Sequence, residues 1–180
     1  MKKYILLFLA TGYCLVACNS KNETQSDAVT AGTTTSTVSL PYTASYSADF
    51  NSNVPDSELL TVLNSYKYWE EGDMKGLRAT MSDSIYADMS SGAHYKGLSD
   101  SIIGIWGKYR DSLSSVKITM DVWLKNHSVK DSSNYINVWY KEIDTFKNGK
   151  VDSANYEDDN GMKDGKIIWL SSHKQKLKED

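Results

Sequence analysis

The chain has 180 residues, of which 40% are hydrophobic and 24% charged, and its formal net charge is −3. That length suffices for one domain with appendages, and the composition is that of an ordinary globular protein. The 20 basic residues are scattered along the chain instead of clustered, so no nucleic-acid partner is expected.

Residues 1–17 predict a signal peptide. Lys2 and Lys3 precede a short apolar segment that ends in small residues before Cys18, which is the pattern of secretory leaders. Leu15-Val16-Ala17-Cys18 resembles the bacterial lipobox, and this resemblance implies cleavage before Cys18 and its lipidation with diacylglycerol and a fatty acid such as palmitate. The expectation is a protein of the bacterial cell envelope, held to a membrane through Cys18. The alternative is an ordinary secretory signal that happens to contain a cysteine.

Cysteine usage and composition also define the segment that follows the leader. Cys14 would leave with the leader and Cys18 would carry lipid, so the mature domain would have no disulfide, no thiol nucleophile and no cysteine-rich metal site. Residues 18–54 are rich in Ser, Thr and Asn, with few aliphatic residues, and predict a flexible tether. Tyr46 and Phe50 are expected to be mostly exposed, or else to pack loosely on the domain.

The domain is expected over residues 55–180 and begins with helices. Asp56 or Ser57 begins a first helix that ends at Gly72, and Asp73 caps a short second helix. Alternation over residues 84–89 predicts a strand, residues 90–97 a loop, and Ser99 or Asp100 the cap of a third helix.

The remainder of the chain predicts an antiparallel sheet. Strands are expected at residues 116–125, 134–146, 151–162 and 166–177, with hairpins at Asn148-Gly149 and Asp164-Gly165. Simple alternation places Trp123 on the polar face of the first of these strands. Helices followed by paired strands indicate an α+β domain with its helices on one side of the sheet.

An ordered set of short segments carries a family resemblance. These segments are Trp69 to Asp73, Asp83 to Asp88, Tyr95 to Gly97, and Met162 to Ile167. In this order the chain resembles the nuclear transport factor 2-like superfamily, especially its SnoaL-like and ketosteroid-isomerase-like branches. The resemblance implies a cone-shaped curved antiparallel sheet with three helices packed on one side around a pocket. Members include isomerases, dehydratases, cyclases and non-catalytic binding modules, so the fold alone does not define a function.

The resemblance also implies candidate catalytic residues. Asp88 matches the general base of the isomerase branch, and Asp158 falls near the acid that donates to the developing oxyanion. His94 follows Asp88 closely enough to assist proton transfer. The phenolic donor of the first helix aligns with Ser65, not Tyr66, which departs from the pattern. The alternatives are a strand-end Asp88, an exposed loop His94, and an Asp158 that is solvated within its acidic run.

Aromatic residues supply the candidate ligand contacts, which are Tyr86, Trp123, Trp139 and Tyr156. Their flat apolar rings would line a concave pocket; cross-strand packing or a dimer interface is the alternative. The aromatic alternation of residues 134–146 predicts a homodimer formed through the outer sheet face. No metal or cofactor is expected, because no ligand-spacing motif is present.

These observations favour an envelope lipoprotein whose domain binds a small apolar or amphipathic molecule in its concave pocket. One alternative is an isomerase- or cyclase-like enzyme with Asp88 as general base. The other is a structural or protein-interaction lipoprotein that binds no ligand.

Overall fold

The computed structural model describes residues 39–177, and its folded unit begins at Tyr42. The predicted leader and the lipidation site Cys18 lie outside the described residues. The elements in chain order are β1 (Phe50–Asn51), α1 (Asp56–Glu71), α2 (Met74–Ala79), β2 (Met81–Asp88), β3 (His94–Leu98), α3 (Ser99–Arg110), β4 (Leu113–Ser128), β5 (Asn134–Phe146), β6 (Val151–Lys163) and β7 (Lys166–Lys176). Within residues 39–177, no helix combines the length and the apolar character needed to cross a membrane.

The junction of α1 and α2 follows the sequence prediction. Gly72 ends α1 in the left-handed conformation, with φ of 75°, and Oδ1 of Asp73 caps α2 by accepting a 2.8 Å hydrogen bond from the Gly76 amide. The guanidinium of Arg110, from the end of α3, donates to the last carbonyls of α1 at Trp69 and Glu70, each at 3.0 Å. These bonds fix the end of α1 to α3.

The region around α3 differs from the prediction in two respects. Residues expected as a loop include β3, which pairs with β2 from Ser84↔Leu98 to Asp88↔His94. Ser99 is the first residue of α3 instead of its cap, and its hydroxyl donates a 2.6 Å hydrogen bond to the carbonyl of Ser82. The hydroxyl therefore ties α3 to β2.

In the described residues, the strands form one curved seven-stranded sheet in the order β1-β4-β5-β6-β7-β2-β3. All neighbours are antiparallel except β2 and β7. The turn between β6 and β7 is the predicted Asp164-Gly165 pair, both with positive φ, as a two-residue hairpin requires. The predicted α+β class is confirmed, with three helices in the described part of the chain.

A β-bulge in β4 changes which side chains face the helices. Met120 pairs with Tyr140 but Val122 pairs with Trp139, so one extra residue is inserted at Asp121. Beyond this bulge Val122 lies on the opposite face from Met120, and Trp123 lies on the same face as Met120. The simple alternation predicted for residues 116–125 fails at this point.

The two faces of the sheet have different surroundings. The inner face packs against the helices, and β5 contributes buried Ile136, Val138 and Tyr140 to it. Val62 and Tyr66 from α1 complete this core, together with apolar residues of α2, α3 and β7. The outer face is the opposite side of the sheet. Successive residues of a strand point to opposite faces, whereas residues paired directly across two strands share a face. The register of each strand pair therefore assigns side chains to one face or the other.

The end of the predicted tether is part of the folded unit. β1 pairs with β4 through Phe50↔Ser128 and Asn51↔His127, and Val54 is buried. The Tyr46 hydroxyl donates hydrogen bonds of 2.7 and 2.8 Å to the carboxylate of Asp131. Tyr46 and Phe50 remain partly exposed, although both contact the domain.

Candidate functional site

A buried polar cluster lies on the inner face, where α1 crosses β5 and β6. Asp158 Oδ2 accepts two hydrogen bonds of 2.9 Å, one from the Tyr66 hydroxyl and one from the Tyr140 hydroxyl. The Asn160 amide donates to the Ile136 carbonyl at 3.1 Å and contacts the Tyr66 hydroxyl at 3.3 Å. We call these four residues (Tyr66, Tyr140, Asp158 and Asn160) the inner cluster. Its side chains come from α1, β5 and β6, so the whole fold is needed to assemble it.

The carboxyl group of Asp158 is the electrostatic centre of the inner cluster. Only 3% of the residue is exposed, and this burial raises the pKa of Asp158 to about 6. Hydroxyl groups of Ser172, Tyr66 and Tyr140 lower the same pKa and so limit the rise. Oδ1 is buried with no hydrogen-bond partner among the described residues. The Ser172 hydroxyl is close enough to lower the pKa of this carboxyl group, yet it forms no hydrogen bond with Oδ1, so Oδ1 keeps capacity for a further polar partner.

Two further acids follow on the inner face of β5. Burial, together with the nearby carboxylates of Asp144 and Asp158, raises the pKa of Glu142 to about 8. Asp144 accepts a 2.9 Å hydrogen bond from the Tyr109 hydroxyl, and burial raises the pKa of this carboxyl group as well. The inner face thus holds three carboxyl groups that burial keeps closer to the neutral form than in water.

The predicted catalytic residues do not form one site. Asp88 lies opposite Ser171, which lies opposite Asp159, so Asp88 belongs to the outer face and Asp158 to the inner face. Nδ1 of His94 lies 2.5 Å from Oδ1 of Asp88, and this hydrogen bond lowers the pKa of Asp88. The His94 side chain is 69% exposed. Asp88 and His94 therefore pair at the surface, apart from the buried carboxyl of Asp158.

A cavity of about 380 Å³ lies at the end of β2, beyond the last residue that β2 pairs with β7. It is lined by the loop after β2 and by the end of β7: Asp88, Met89, Ser90, Gly92, Ser171, Ser172, His173 and Lys174. Ser172 is buried and lies opposite Asp158 in the pairing of β6 with β7. Ser172 therefore lies between the cavity and the inner cluster.

The predicted ligand contacts are divided between the two faces. Tyr156 lies on the inner face, with its ring stacked on Tyr140 at a centroid distance of 5.2 Å. The bulge turns Trp123 to the inner face as well, but 47% of this residue stays exposed. Trp139 and Tyr86 lie on the outer face, opposite Glu157 and Trp169 respectively. Only Tyr156 is in contact with the inner cluster.

Sequence reasoning missed most of the inner cluster. Tyr66, not Ser65, supplies the phenol from the first helix, and Ser65 instead donates to the Val62 carbonyl at 2.7 Å. The solvated alternative for Asp158 is wrong, because alternation in β6 turns Asp158 inward while Glu157 and Asp159 face outward. The signal that was available is the period of two that groups Tyr156, Asp158 and Asn160.

Metal ligation finds no support in the described part of the chain. Within residues 39–177, no three His, Cys, Asp or Glu side chains are grouped as a metal site would require. The three inner-face acids are spread along two strands, and two of them, Asp144 and Asp158, accept hydrogen bonds from phenols.

Comparison with solved structures identifies the fold. An NTF2-like protein of unknown function from Burkholderia pseudomallei matches with a TM-score of 0.54 at 16% identity, over 66% of this chain and 91% of that one. An LEH-like epoxide hydrolase from Mycobacterium tuberculosis matches with a TM-score of 0.57 at 8% identity, over 67% and 84% of the two chains. A third match is a Mycobacterium tuberculosis protein in complex with estradiol-17beta-hemisuccinate. Its TM-score is 0.53 at 14% identity, over 64% and 92%.

These likenesses establish an NTF2-like fold, as the resemblance in the sequence implied. No protein-family model matches the chain, and no curated protein matches it significantly. The similar structures include a hydrolase and a protein bound to a steroid ester, so the fold is shared by proteins of different function.

Proposed function

We propose that this domain binds a small amphipathic molecule on the inner face of its sheet, with the polar end of the ligand at Asp158. The observation that carries the proposal is the buried Asp158 carboxyl group, whose Oδ2 accepts from two phenols while Oδ1 has no partner in the described residues. A buried polar atom without a partner costs about 1–3 kcal/mol, which a ligand hydroxyl would recover by donating to the carboxylate, or a ligand carbonyl by accepting from the protonated carboxyl group. Such a site specifies the polar end of its ligand.

The surroundings of Asp158 favour an apolar body for the remainder of the ligand. Tyr140 and Tyr156 are stacked, with their rings inclined by 11°, and Ile118 and Met120 pack against the same core. Binding sites of this kind combine apolar and aromatic walls with a few polar groups that set orientation. Access would pass the cavity at the β7 edge, because Ser172 borders that cavity and lies opposite Asp158. The steroid ester bound by one structural neighbour is an example of an amphipathic ligand on this fold.

A thermal-shift screen of steroids, fatty acids and aromatic ketones, with estradiol-17beta-hemisuccinate included, tests the proposal. A ligand that binds only the folded state raises its stability in proportion to the logarithm of ligand concentration over Kd. We expect this stabilisation in the wild type and in Glu157→Gln, and its loss in Asp158→Asn. Glu157 is the matched control because it precedes Asp158 in β6 but is exposed on the outer face.

The outcomes of this screen separate the hypotheses. Equal stabilisation of wild type and Asp158→Asn by a compound that is not turned over would place the ligand elsewhere and overturn the proposed role of Asp158. No stabilisation by any compound class would favour a structural or protein-interaction domain that binds no ligand.

An enzymatic function is the second candidate, and one observation favours it. A carboxyl group with a pKa of about 6 beside two phenols suits general acid catalysis near neutral pH, with the phenols stabilising negative charge. The proposal of Asp88 as the base lacks the same support, since His94 holds its pKa low on the outer face. An isomerisation assay on an unsaturated ketone tests this function. Turnover that Asp158→Asn abolishes while binding persists would establish it.

The cellular setting is also a proposal. The leader and Leu15-Val16-Ala17-Cys18 support an envelope lipoprotein anchored through Cys18, on a tether that joins the folded unit near Tyr42. The outer face supports a homodimer, because Val122 is 48% exposed there beside Trp139.

A further inference from the structure

A second cavity, of about 520 Å³, lies on the outer face, on the side of the sheet away from Asp158. It is lined by aromatic residues and by amide and carboxylate side chains: Tyr46, Phe50, Asn126, Tyr135, Asn137, Asp159 and Trp169. Its volume falls within the range of about 300–1,000 Å³ that is typical of small-molecule sites. We call this cavity the outer groove.

One wall of the outer groove is a continuous row of aromatic rings. Phe50, Tyr46, Tyr135 and Trp169 follow one another with ring centroids 6.2 to 6.4 Å apart, and two of the three contacts are edge-to-face. The Tyr46 hydroxyl is bonded to Asp131 and lies 3.1 Å from the Tyr135 hydroxyl, so this ring is held in place. Each edge-to-face contact covers a face of only one of its two rings, and none of the four residues is buried.

Gly161 allows two of these rings to lie close to the strand. A methyl group at position 161 would come within 3.3 Å of two Trp169 side-chain atoms and 3.7 Å of Tyr135 Cε1. Any larger residue would push the rings outward. The wall of the groove therefore depends on glycine at this point of β6.

The floor of the outer groove is a ladder of polar side chains across three strands. The Asn126 amide donates a 2.6 Å hydrogen bond to Asn137 Oδ1, and the Asn137 amide donates in turn to Asp159 Oδ1. Each amide nitrogen keeps a second hydrogen, and Asp159 Oδ2 and Asn126 Oδ1 keep acceptor capacity. Donors and acceptors thus alternate along this row, and the hydrogen bonds within the ladder orient them without a ligand.

We propose that the outer groove is a binding site for a neutral saccharide. Adjacent hydroxyl groups of a sugar donate and accept at once, which matches a row of paired amide and carboxylate groups. The face of a sugar ring that presents mainly C–H groups is apolar, and it packs on aromatic rings such as Trp169 and Tyr135. The groove thus offers both surfaces that a pyranose presents.

Other ligand classes fit the outer groove less well. Among the described residues no Lys or Arg lines it, although Lys130 lies over the Tyr46 ring, so an anionic phosphate would lie beside the Asp159 carboxylate without a lining cation. A wholly apolar ligand would cover the amide ladder without replacing its water, at a cost of about 1–3 kcal/mol per unpaired group. The site is separate from the inner cluster, since the register assigns Asp159 and Asp158 to opposite faces of β6.

Titration calorimetry of the full chain with maltotriose, cellotriose, mannotriose and chitotriose tests this proposal. We expect saturable binding of at least one, with a Kd of about 1 mM or tighter. Asn137→Ala and Trp169→Ala should each weaken that binding at least tenfold, and Trp169→Phe should retain most of it, because a ring remains. Asn155→Ala is the matched control, since it lies on the outer face of β6 outside the groove.

Three outcomes would overturn the proposal: no binding of any of these saccharides, equal binding by wild type and Asn137→Ala, or equal loss in Asn155→Ala. Thermal unfolding of each variant shows whether it is folded, and Trp169→Phe keeps the test valid if Trp169→Ala unfolds. The result is independent of the inner cluster, because Asp158→Asn should leave saccharide binding unchanged.

Discussion

The Tyr66 hydroxyl on α1 donates a 2.9 Å hydrogen bond to Asp158 on β6, joining two residues 92 positions apart in the chain. Tyr140 donates to the same oxygen, so helix and sheet meet at one buried carboxyl group. This contact both holds α1 on the sheet and sets the protonation of the candidate site. The first two predictions follow from it.

Removing the Tyr66 hydroxyl should destabilise the domain and raise the pKa of Asp158. Tyr66→Phe leaves a buried carboxyl group with one fewer donor, and we expect a loss of about 1–3 kcal/mol in the free energy of unfolding at pH 7. Tyr68→Phe, on the same helix, is the control, because its hydroxyl forms no hydrogen bond in the described residues. Urea denaturation measures the free energy of unfolding of the two variants. Similar losses in Tyr66→Phe and Tyr68→Phe would contradict the account.

Folding stability should fall as the pH rises from about 4 to 8. The folded-state pKa values of Asp158 and Glu142, about 6 and about 8, lie above the ordinary values of 3.8 and 4.5. Between these limits the folded state binds more protons than the unfolded state, so raising the pH favours unfolding. Asp158 alone would contribute roughly 2–3 kcal/mol. The pKa of Asp144, which faces the same cluster, is also raised, so ionising this group likewise lowers the stability as the pH rises. Lys174 opposes the effect by lowering the pKa of Glu142.

Thermal unfolding between pH 5 and pH 8 measures this dependence. We expect a lower Tm at pH 8 in the wild type and a flatter profile in Asp158→Asn and Glu142→Gln. Glu157→Gln should keep the wild-type profile, since that side chain is exposed. A wild-type Tm that is constant or rises over this range would show that these acids are ionised without penalty.

Comparison of the sequence predictions with the structure shows which features local patterns determine. Helix ends at Gly72 and Asp73 and the turn at Asp164-Gly165 were predicted, because each depends on the conformation of a few consecutive residues. The pairing of β3 with β2 was missed, since residues 94–98 show no strong alternation.

The candidate site could be predicted only in part, because it depends on contacts between distant residues. Asp158 was named, but its acidic neighbours suggested solvent, and only the strand register shows that it points inward. Trp123 was assigned to the polar strand face because nothing in the sequence signals the bulge at Asp121. Asp88 and Asp158 were grouped by resemblance, whereas the register separates them onto two faces.

Association through the outer face gives a third prediction. Light scattering at tens of micromolar should report a dimer for the wild type, and Val122→Lys should shift it to monomer by placing a charge in the apolar contact. Leu60→Lys is the control, because Leu60 is 58% exposed on α1 and should leave the dimer intact. A monomeric wild type at that concentration would remove the proposal.

Lipid anchoring gives a fourth prediction. The wild type should fractionate with membranes and incorporate labelled palmitate, and Cys18→Ser should lose both properties because the acceptor thiol is gone. Cys14→Ser tests specificity, since Cys14 belongs to the part of the leader that cleavage before Cys18 would remove. Equal labelling of Cys18→Ser and wild type would contradict lipidation at this position.

The most direct test of the central claim is a carboxyl-carbon NMR titration of Asp158, with and without a compound that stabilises the protein in the thermal-shift screen. Binding at the inner cluster predicts a pKa near 6 in the free protein. It also predicts that the ligand shifts this pKa, because the ligand would supply a hydrogen-bond partner for Oδ1. The Asp88 signal should stay unchanged and serves as the control. A pKa near 3.8 that the ligand does not alter would contradict the claim that Asp158 is the anchor of the site.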